Sequence, residues 1–290
     1  MLETQKSFET HITGTLYLVP TPIGNLGDMT YRAVEILKEV SWIAAEDTRN
    51  TQRLLNYFDI ATSQISFHEH NTQERIPQLL ALLQKGEAIA QVSDAGMPSI
   101  SDPGYELVQA CIAEGIPVVP LPGANAGVTA LIASGLPPQP FTFIGFLKRK
   151  KKDQIEEWEK LKNKEETFII YESPYRLKEL IENMITVFGD TRRIVICREL
   201  TKRYEEFIRG SAKDVLEWVK EQTIKGEICV IIEGNPSPEA NQPILFPEDL
   251  KTHVMLVMEE DGLSSKEGIK QVAKLRKIKK QDVYQAYHEL

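Results

Sequence analysis

Two aspartates and three serines crowd one short stretch, Val92-Ser93-Asp94-Ala95-Gly96-Met97-Pro98-Ser99-Ile100-Ser101-Asp102-Pro103-Gly104. Carboxylates there can hold a proton or accept hydrogen bonds from hydroxyls. Gly and Pro stiffen the chain and leave backbone donors free for a ligand. The stretch follows an apolar run, 88–92, that reads as a buried strand, and it precedes an amphipathic helix over 105–113. That puts it at the carboxyl end of a strand, where open α/β sheets place their ligands. Read alone, it is equally an ordinary strand-to-helix loop.

Other strand ends carry comparable residues. Val19 to Asp28 (VPTPIGNLGD) follows the first strand; Gly24 and Gly27 permit a close backbone approach, but the GxGxxG dinucleotide fingerprint is absent. In Ala45 to Arg49 (AEDTR), the paired carboxylates beside an arginine form either a local ion pair or a substrate and proton site, and the spacing does not decide. Leu121 to Gly127 (LPGANAG) opens a helix whose small residues admit either a flat ligand or close packing on a sheet. Glu172 in YESPYR (171–176) and Glu199 in CRELTK (197–202) are each either cleft carboxylates or capping groups.

Strand and helix alternate to position these loops. Strands are predicted at 15–19, 42–45, 64–67, 88–92 and 118–121. Helices are predicted at 30–39 (Thr30 as cap), 49–58, 72–84, 105–113 and 126–134. This pattern predicts a parallel-rich sheet covered on both faces. The Pro-rich stretch Gly135 to Pro138 then breaks the pattern. Beyond it, strands are expected at 141–146, 167–171, 193–199, 205–209 and 227–233. Helices are expected near 152–163, 175–188 and 212–220. The short gap between 199 and 205 demands an antiparallel pair, so the second sheet is mixed. The division expected is an α/β domain over 14–123, a second over 124–235, a linker over 236–246 and a helix-turn-helix-like unit over 247–290.

The chain of 290 residues carries a net charge of -8, yet Lys148, Arg149, Lys150, Lys151 and Lys152 form an unbroken basic block. Residues 264–290 add seven Lys and Arg against three carboxylates. Charge segregated in this way favours a nucleic-acid partner, although a solvated helix start also accounts for the block. Cys111, Cys197 and Cys229 lie far apart in apolar surroundings and read as reduced thiols of a cytoplasmic protein. No metal site, signal peptide, membrane span, P-loop or GxSxG elbow is expected.

Taken together, VPTPIGNLGD, AEDTR, VSDAGMPSISDPG, PLPGANA, YESPYR, CRELTK and the 226–234 strand resemble the tetrapyrrole methylase superfamily, and more closely its RNA-modifying branch. The resemblance implies two α/β domains with S-adenosylmethionine in the cleft between them. The activity it implies is 2′-O-methylation of a cytidine ribose in the decoding region of 16S rRNA, by a homodimer. It implies cofactor contacts at Pro22, Ile23, Gly24, Asp94, Ala95, Gly96, Met97, Asn125 and Ala126. The second domain would close with Tyr171, Glu172, Glu199 and Ile232. Asp47, Asp94 and Glu172 are the candidates to take the hydroxyl proton or hold the ribose. Arg49, Arg198, Lys148, Arg149, Lys150 and Lys151 are the candidate RNA contacts. IGNLGD stands where porphyrin-methylating members carry GxGPGD, which argues against a tetrapyrrole substrate. The rival readings are a tetrapyrrole C-methyltransferase and a non-enzymatic nucleic-acid-binding protein.

Overall fold

The computed structural model describes residues 4–7, 9, 11–236, 246–247, 249–276 and 278–288. The chain forms two compact units, Met1–Pro236 and Ser237–Leu290.

The first unit holds two five-stranded sheets. Strands β1 (Leu16–Leu18), β2 (Trp42–Ala45), β3 (Gln64–Ser66), β4 (Ile89–Val92) and β5 (Val118–Pro120) make an all-parallel sheet of order β3-β2-β4-β1-β5. Helices α1 (Tyr31–Glu39) and α2 (Thr48–Tyr57) cover one face through Ala33, Leu37 and Leu55. Helices α3 (Thr72–Gln84) and α4 (Tyr105–Ala113) cover the other through Leu79, Leu83 and Leu107. A sheet buried on both faces explains the unbroken burial of β4. Thr30 caps α1 as expected, accepting from the Ala33 amide at 3.1 Å. The connection leaving β1 runs to β2 and that leaving β4 runs to β5, in opposite directions across the sheet. Neighbouring β1 and β4 therefore form a topological switch point, which opens a crevice at their carboxyl ends.

The second sheet has the order β6-β7-β10-β8-β9. Its strands are β6 (Phe141–Gly145), β7 (Thr167–Glu172), β8 (Arg193–Arg198), β9 (Glu206–Ser211) and β10 (Ile228–Ile232). Only β6 and β7 pair in parallel, so the sheet is mixed. Its side chains alternate between two cores. Phe168, Ile170, Ile196 and Val230 meet helices α6 (Lys151–Leu161), α7 (Leu177–Phe188) and α8 (Ala212–Glu221). Ile169, Val195, Cys229 and Ile231 face helix α5 (Ala126–Ser134), which packs with Ala130 and Leu131. The expected division at 123/124 falls between β5 and this helix. β9 runs two residues past its expected end because Gly210 and Ser211 still pair with β8, and Ser211 then caps α8.

The second unit is three helices, α9 (Leu250–Asp261), α10 (Ser265–Arg276) and α11 (Lys280–His288), around Val254, Val257, Ile269, Val272 and Val283. Asp249 caps α9, and Gly262, at φ 65, ends it. Ahead of α10, the Glu267 carboxylate accepts from the Ser264 amide at 3.1 Å and from its hydroxyl at 2.6 Å. Most of the expected linker, residues 237–245, lies outside the described residues, as do Lys277 and Glu289 of the basic tail. Among the described residues no helix is long and apolar enough to cross a membrane, and no group of three or more His, Cys, Asp or Glu could hold a metal ion.

Phe168 is wholly buried on β7. Phe168→Ala should lower the unfolding free energy by about 3–5 kcal/mol, read as a shift in urea midpoint at unchanged slope.

Candidate active site

Two loops from the switch point cross and bond to each other. Thr21 and Gly96 exchange backbone hydrogen bonds of 2.9 and 3.0 Å, and the Thr21 hydroxyl donates to the Ser93 carbonyl at 3.1 Å. Gly96 sits at φ 78, a left-handed conformation suited to glycine. One side of this crossing faces a cavity of about 440 Å³. Ile23, Ala95, Gly96 and Met97 line it from the first sheet, and Asn125 and Ala126 line it from the start of α5. Tyr171 and Glu172 close it from the end of β7, with Cys197 and the 226–229 segment from neighbouring strands. The other side faces a smaller hollow of about 300 Å³ that includes Pro22, Gly24, Ser93 and Asp94.

The structure thus gathers eight of the expected cofactor residues in one cavity: Ile23, Ala95, Gly96, Met97, Asn125, Ala126, Tyr171 and Glu172. Pro22, Gly24 and Asp94 fall on the far side of the crossing. The close approach that Gly24 permits is made by the Lys202 side chain, whose Cγ would lie 2.4 Å from an added Cβ. Glu199 is held beside the cavity, not in its wall: it accepts from the Glu227 amide at 2.9 Å and pairs with Lys202 at 3.0 Å. Ile232 points away from the cavity into the opposite core of the sheet, because strand side chains alternate and Cys229 and Ile231 occupy the cavity-side positions.

The carboxylates differ sharply in surroundings. Asp47 caps α2 and grips Arg49 through two side-chain hydrogen bonds of 3.0 and 2.7 Å, which hold its pKa down at about 2. Asp47 and Arg49 thus form a local ion pair. Asp94 accepts from the Asp47 amide at 3.2 Å and from Asn50 at 3.0 Å. Glu172 is buried, with its carboxyl pKa raised chiefly by that burial. Its Oε1 accepts from the Ser173 amide at 2.7 Å, whereas Oε2 has no hydrogen-bond partner and faces Arg176 Nη2 at 3.3 Å. Glu172 lines the cavity and makes no side-chain cap to α7. Tyr171 accepts from the Gly127 amide at 3.0 Å, leaving its own proton to donate. Burial pushes that phenol up to about 12.

Arg49 is exposed but committed to Asp47. Arg198 pairs with Glu206 at 2.8 Å and also donates to the Lys225 carbonyl. The exposed block Lys148, Arg149, Lys150 and Lys151 lies next to the cavity. Phe146, just before it, lines the cavity; Arg176 donates to the Lys148 carbonyl, and the Arg149 charge acts on Glu172.

Sequence reasoning passed over several lining residues. Asp102 belongs to the first loop singled out, and its place as the second carboxylate of that loop was the available signal. Burial, reinforced by the Glu46 charge, pushes it up to about 6. Ile100, Leu200 and Gly226 lie within the motifs above but have side chains that point to no chemistry, and Phe146 lies outside every motif.

The description "Tetrapyrrole (Corrin/Porphyrin) Methylases" matches residues 15–216 of the chain. Curated relatives named ribosomal RNA small subunit methyltransferase I are similar over nearly their full length. The protein of Halalkalibacterium halodurans is 52% identical, with 99% of this chain and 100% of the relative covered. That of Bacillus subtilis is 50% identical, with 99% of each covered. Among solved structures, a cobalt precorrin-4 methyltransferase of cobalamin biosynthesis shares the fold with a TM-score of 0.58 at 17% identity, over 76% of this chain and 94% of that one. A uroporphyrin-III C-methyltransferase from Thermus thermophilus, complexed with S-adenosyl homocysteine, shares it with a TM-score of 0.53 at 17% identity, over 75% and 97%. The match across both α/β sheets and the likeness from end to end lead to one conclusion: this chain belongs to the tetrapyrrole (corrin/porphyrin) methylases and, within them, is similar along its whole length to ribosomal RNA small subunit methyltransferase I.

Proposed function

We propose that this protein uses S-adenosylmethionine (SAM) to methylate the ribose 2′-hydroxyl of a cytidine in the decoding region of 16S rRNA. The observation that carries the reading is the end-to-end likeness to relatives named for the small ribosomal subunit, tail included. The solved tetrapyrrole methylases match about three quarters of the chain. The basic block beside the cavity supports an RNA acceptor, because phosphates are drawn to clustered Lys and Arg.

The cavity suits the cofactor. Its volume of about 440 Å³ lies within the range that holds small ligands. Its apolar walls, Ile23, Met97 and Ala126, suit a flat base, and Glu172 Oε2, which faces Arg176 but accepts no hydrogen bond, suits a hydroxyl or amine. Those residues would hold SAM, with Tyr171 and Asn125 as further polar contacts. Bound there, SAM supplies an activated methyl group on a sulfonium. The chain's own part is to align the acceptor hydroxyl, keep water out and receive a proton. Asp47 is a poor proton acceptor because Arg49 already stabilises its charge.

The same reading includes a cytoplasmic homodimer. Free, buried Cys111, Cys197 and Cys229 suit a reducing compartment. Val128 and Ile132 leave apolar surface on the outer side of α5.

Purified protein incubated with tritiated SAM and small subunits from a strain lacking the gene should label one cytidine ribose, as mapped by nuclease digestion and mass spectrometry. Label on a tetrapyrrole instead would replace the acceptor. Glu172→Gln should weaken SAM binding about 10-fold or more in calorimetry, as expected for losing a charge-assisted hydrogen bond. Deletion of residues 247–290 should weaken rRNA binding and leave SAM affinity unchanged. Normal methylation by the truncated chain would remove the tail from substrate recognition.

A further inference from the structure

Asp102 stands apart from the other candidate carboxylates, and of the two that burial raises at these strand and loop ends, Glu46 and Asp102, it alone lines the cavity. It lines the cavity wall between Ser101 and Pro103. The other candidates are engaged elsewhere: Asp47 with Arg49, Glu227 and Glu199 with Lys202, and Glu172 with the Ser173 amide, Arg176 and, in the function proposed above, the cofactor. Asp94 accepts two hydrogen bonds and lines the smaller hollow. The groups acting on Asp102 are the Glu46 and Asp94 carboxylates at the ends of β2 and β4 and the Ser93 hydroxyl; in turn its charge acts on the Tyr171 phenol of β7. No cation is among them.

The loop holds this carboxylate in place at a conformational cost. Ser99 and Ser101, on either side of Ile100, sit at φ 70 and 63, in the left-handed region that non-glycine residues avoid. Gln91, buried on β4, reaches up and donates to the Pro103 carbonyl at 2.7 Å. Gly104, at φ 145, clears room for Gln91, whose Nε2 would lie 2.2 Å from an added Cβ. A strained turn tied to the sheet immediately before and after one side chain is what positioning a reactive group requires.

We propose that the Asp102 carboxylate takes the proton from the hydroxyl that receives the methyl group. The proposal rests on the reading of the protein as a ribose 2′-O-methyltransferase. In that step the hydroxyl oxygen bonds to the methyl carbon as the carbon–sulfur bond breaks and its electron pair remains on sulfur. The released proton passes to Asp102, so the sulfonium charge and the carboxylate charge disappear together. A carboxyl raised by burial is ionised at neutral pH yet is a stronger base than an exposed aspartate.

The test measures single-turnover methyl transfer to small subunits against pH for wild type, Asp102→Asn and Asp102→Glu, with SAM affinity by calorimetry and thermal melts alongside. The wild-type rate should fall about tenfold per pH unit below about 6 and level off above it. Asp102→Asn should lose on the order of 100-fold in rate and show no break near that pH, while binding SAM within about threefold of wild type. Asp102→Glu should recover part of the rate together with the pH break. The melts give a readout free of activity. A carboxyl whose folded pKa lies above its unfolded value favours the fold at low pH, and that contribution is lost as pH rises through the folded pKa. Wild type should therefore lose stability relative to Asp102→Asn between pH 3.8 and about 6. Asp102→Asn transferring methyl at near wild-type rate, or keeping the pH break, overturns the proposal alone. If Asp102→Asn does not fold, Asp102→Glu lacking both rate and break overturns it. A wild type that methylates no ribose overturns the function reading and the proposal with it.

Discussion

The pair of backbone hydrogen bonds between Thr21 and Gly96 is the constraint on which the cavity depends. It ties the loop leaving β1 to the loop leaving β4, whose outgoing connections diverge across the sheet. Divergence opens the crevice, and the crossing gives it a rigid wall. The Thr21 hydroxyl adds a third bond to the Ser93 carbonyl at the root of the second loop. Because the crossing itself is made by backbone bonds, it does not depend on side-chain rotamers. Each loop contributes to both hollows: Ile23 and Ala95 to Met97 meet the large cavity, while Thr21, Pro22, Ser93 and Asp94 meet the small one.

The second sheet completes the enclosure by a different route. Its two cores segregate alternate residues of each strand, so Tyr171 and Cys229 face the cavity while Ile170 and Val230 anchor the opposite face. Small residues at the start of α5 then let it settle closely: an added Cβ at Gly127 would lie 3.1 Å from Ile169. Tyr171 bonds the Gly127 amide, joining the end of β7 to the first turn of that helix. Lys202, threaded past Gly24, pairs with both Glu199 and Glu227 and links the first sheet's loop to the second sheet's rim.

Charge is sorted along the same geometry. Of the carboxylates at the ends of β2 and β4 and in the following loop, Asp102 lines the cavity, and burial raises both Glu46 and Asp102. Exposed cations from 148–152 stand at the rim. In an acidic chain of net charge -8, this places a local positive surface beside an enclosed site with negative walls.

Much of the fold was legible in the residues. Helices over 72–84, 105–113 and 126–134 match the expected bounds: apolar spacing marks the first, Gly104 opens the second, and the Asn125 cap and Gly135 bound the third. The antiparallel pairing of β8 with β9 followed from a gap too short for a crossover. The strand-end loops announced themselves because Gly, Pro and Asp cannot form a core. What the linear order leaves open is direction. Whether a loop residue faces one hollow or its neighbour depends on a crossing between segments about seventy residues apart, as for Thr21 and Ser93. Ile232 sits in a strand identified from its apolar run, yet the register of that strand turns it away from the cavity. Glu172 and Asp47 look alike on paper; an arginine two residues on in space and sequence sets one, and burial sets the other. Local chemistry dictated the elements and their ends, whereas register, crossing and burial, which arise only when distant segments pack, decided which side chains share the cavity and what protonation each prefers.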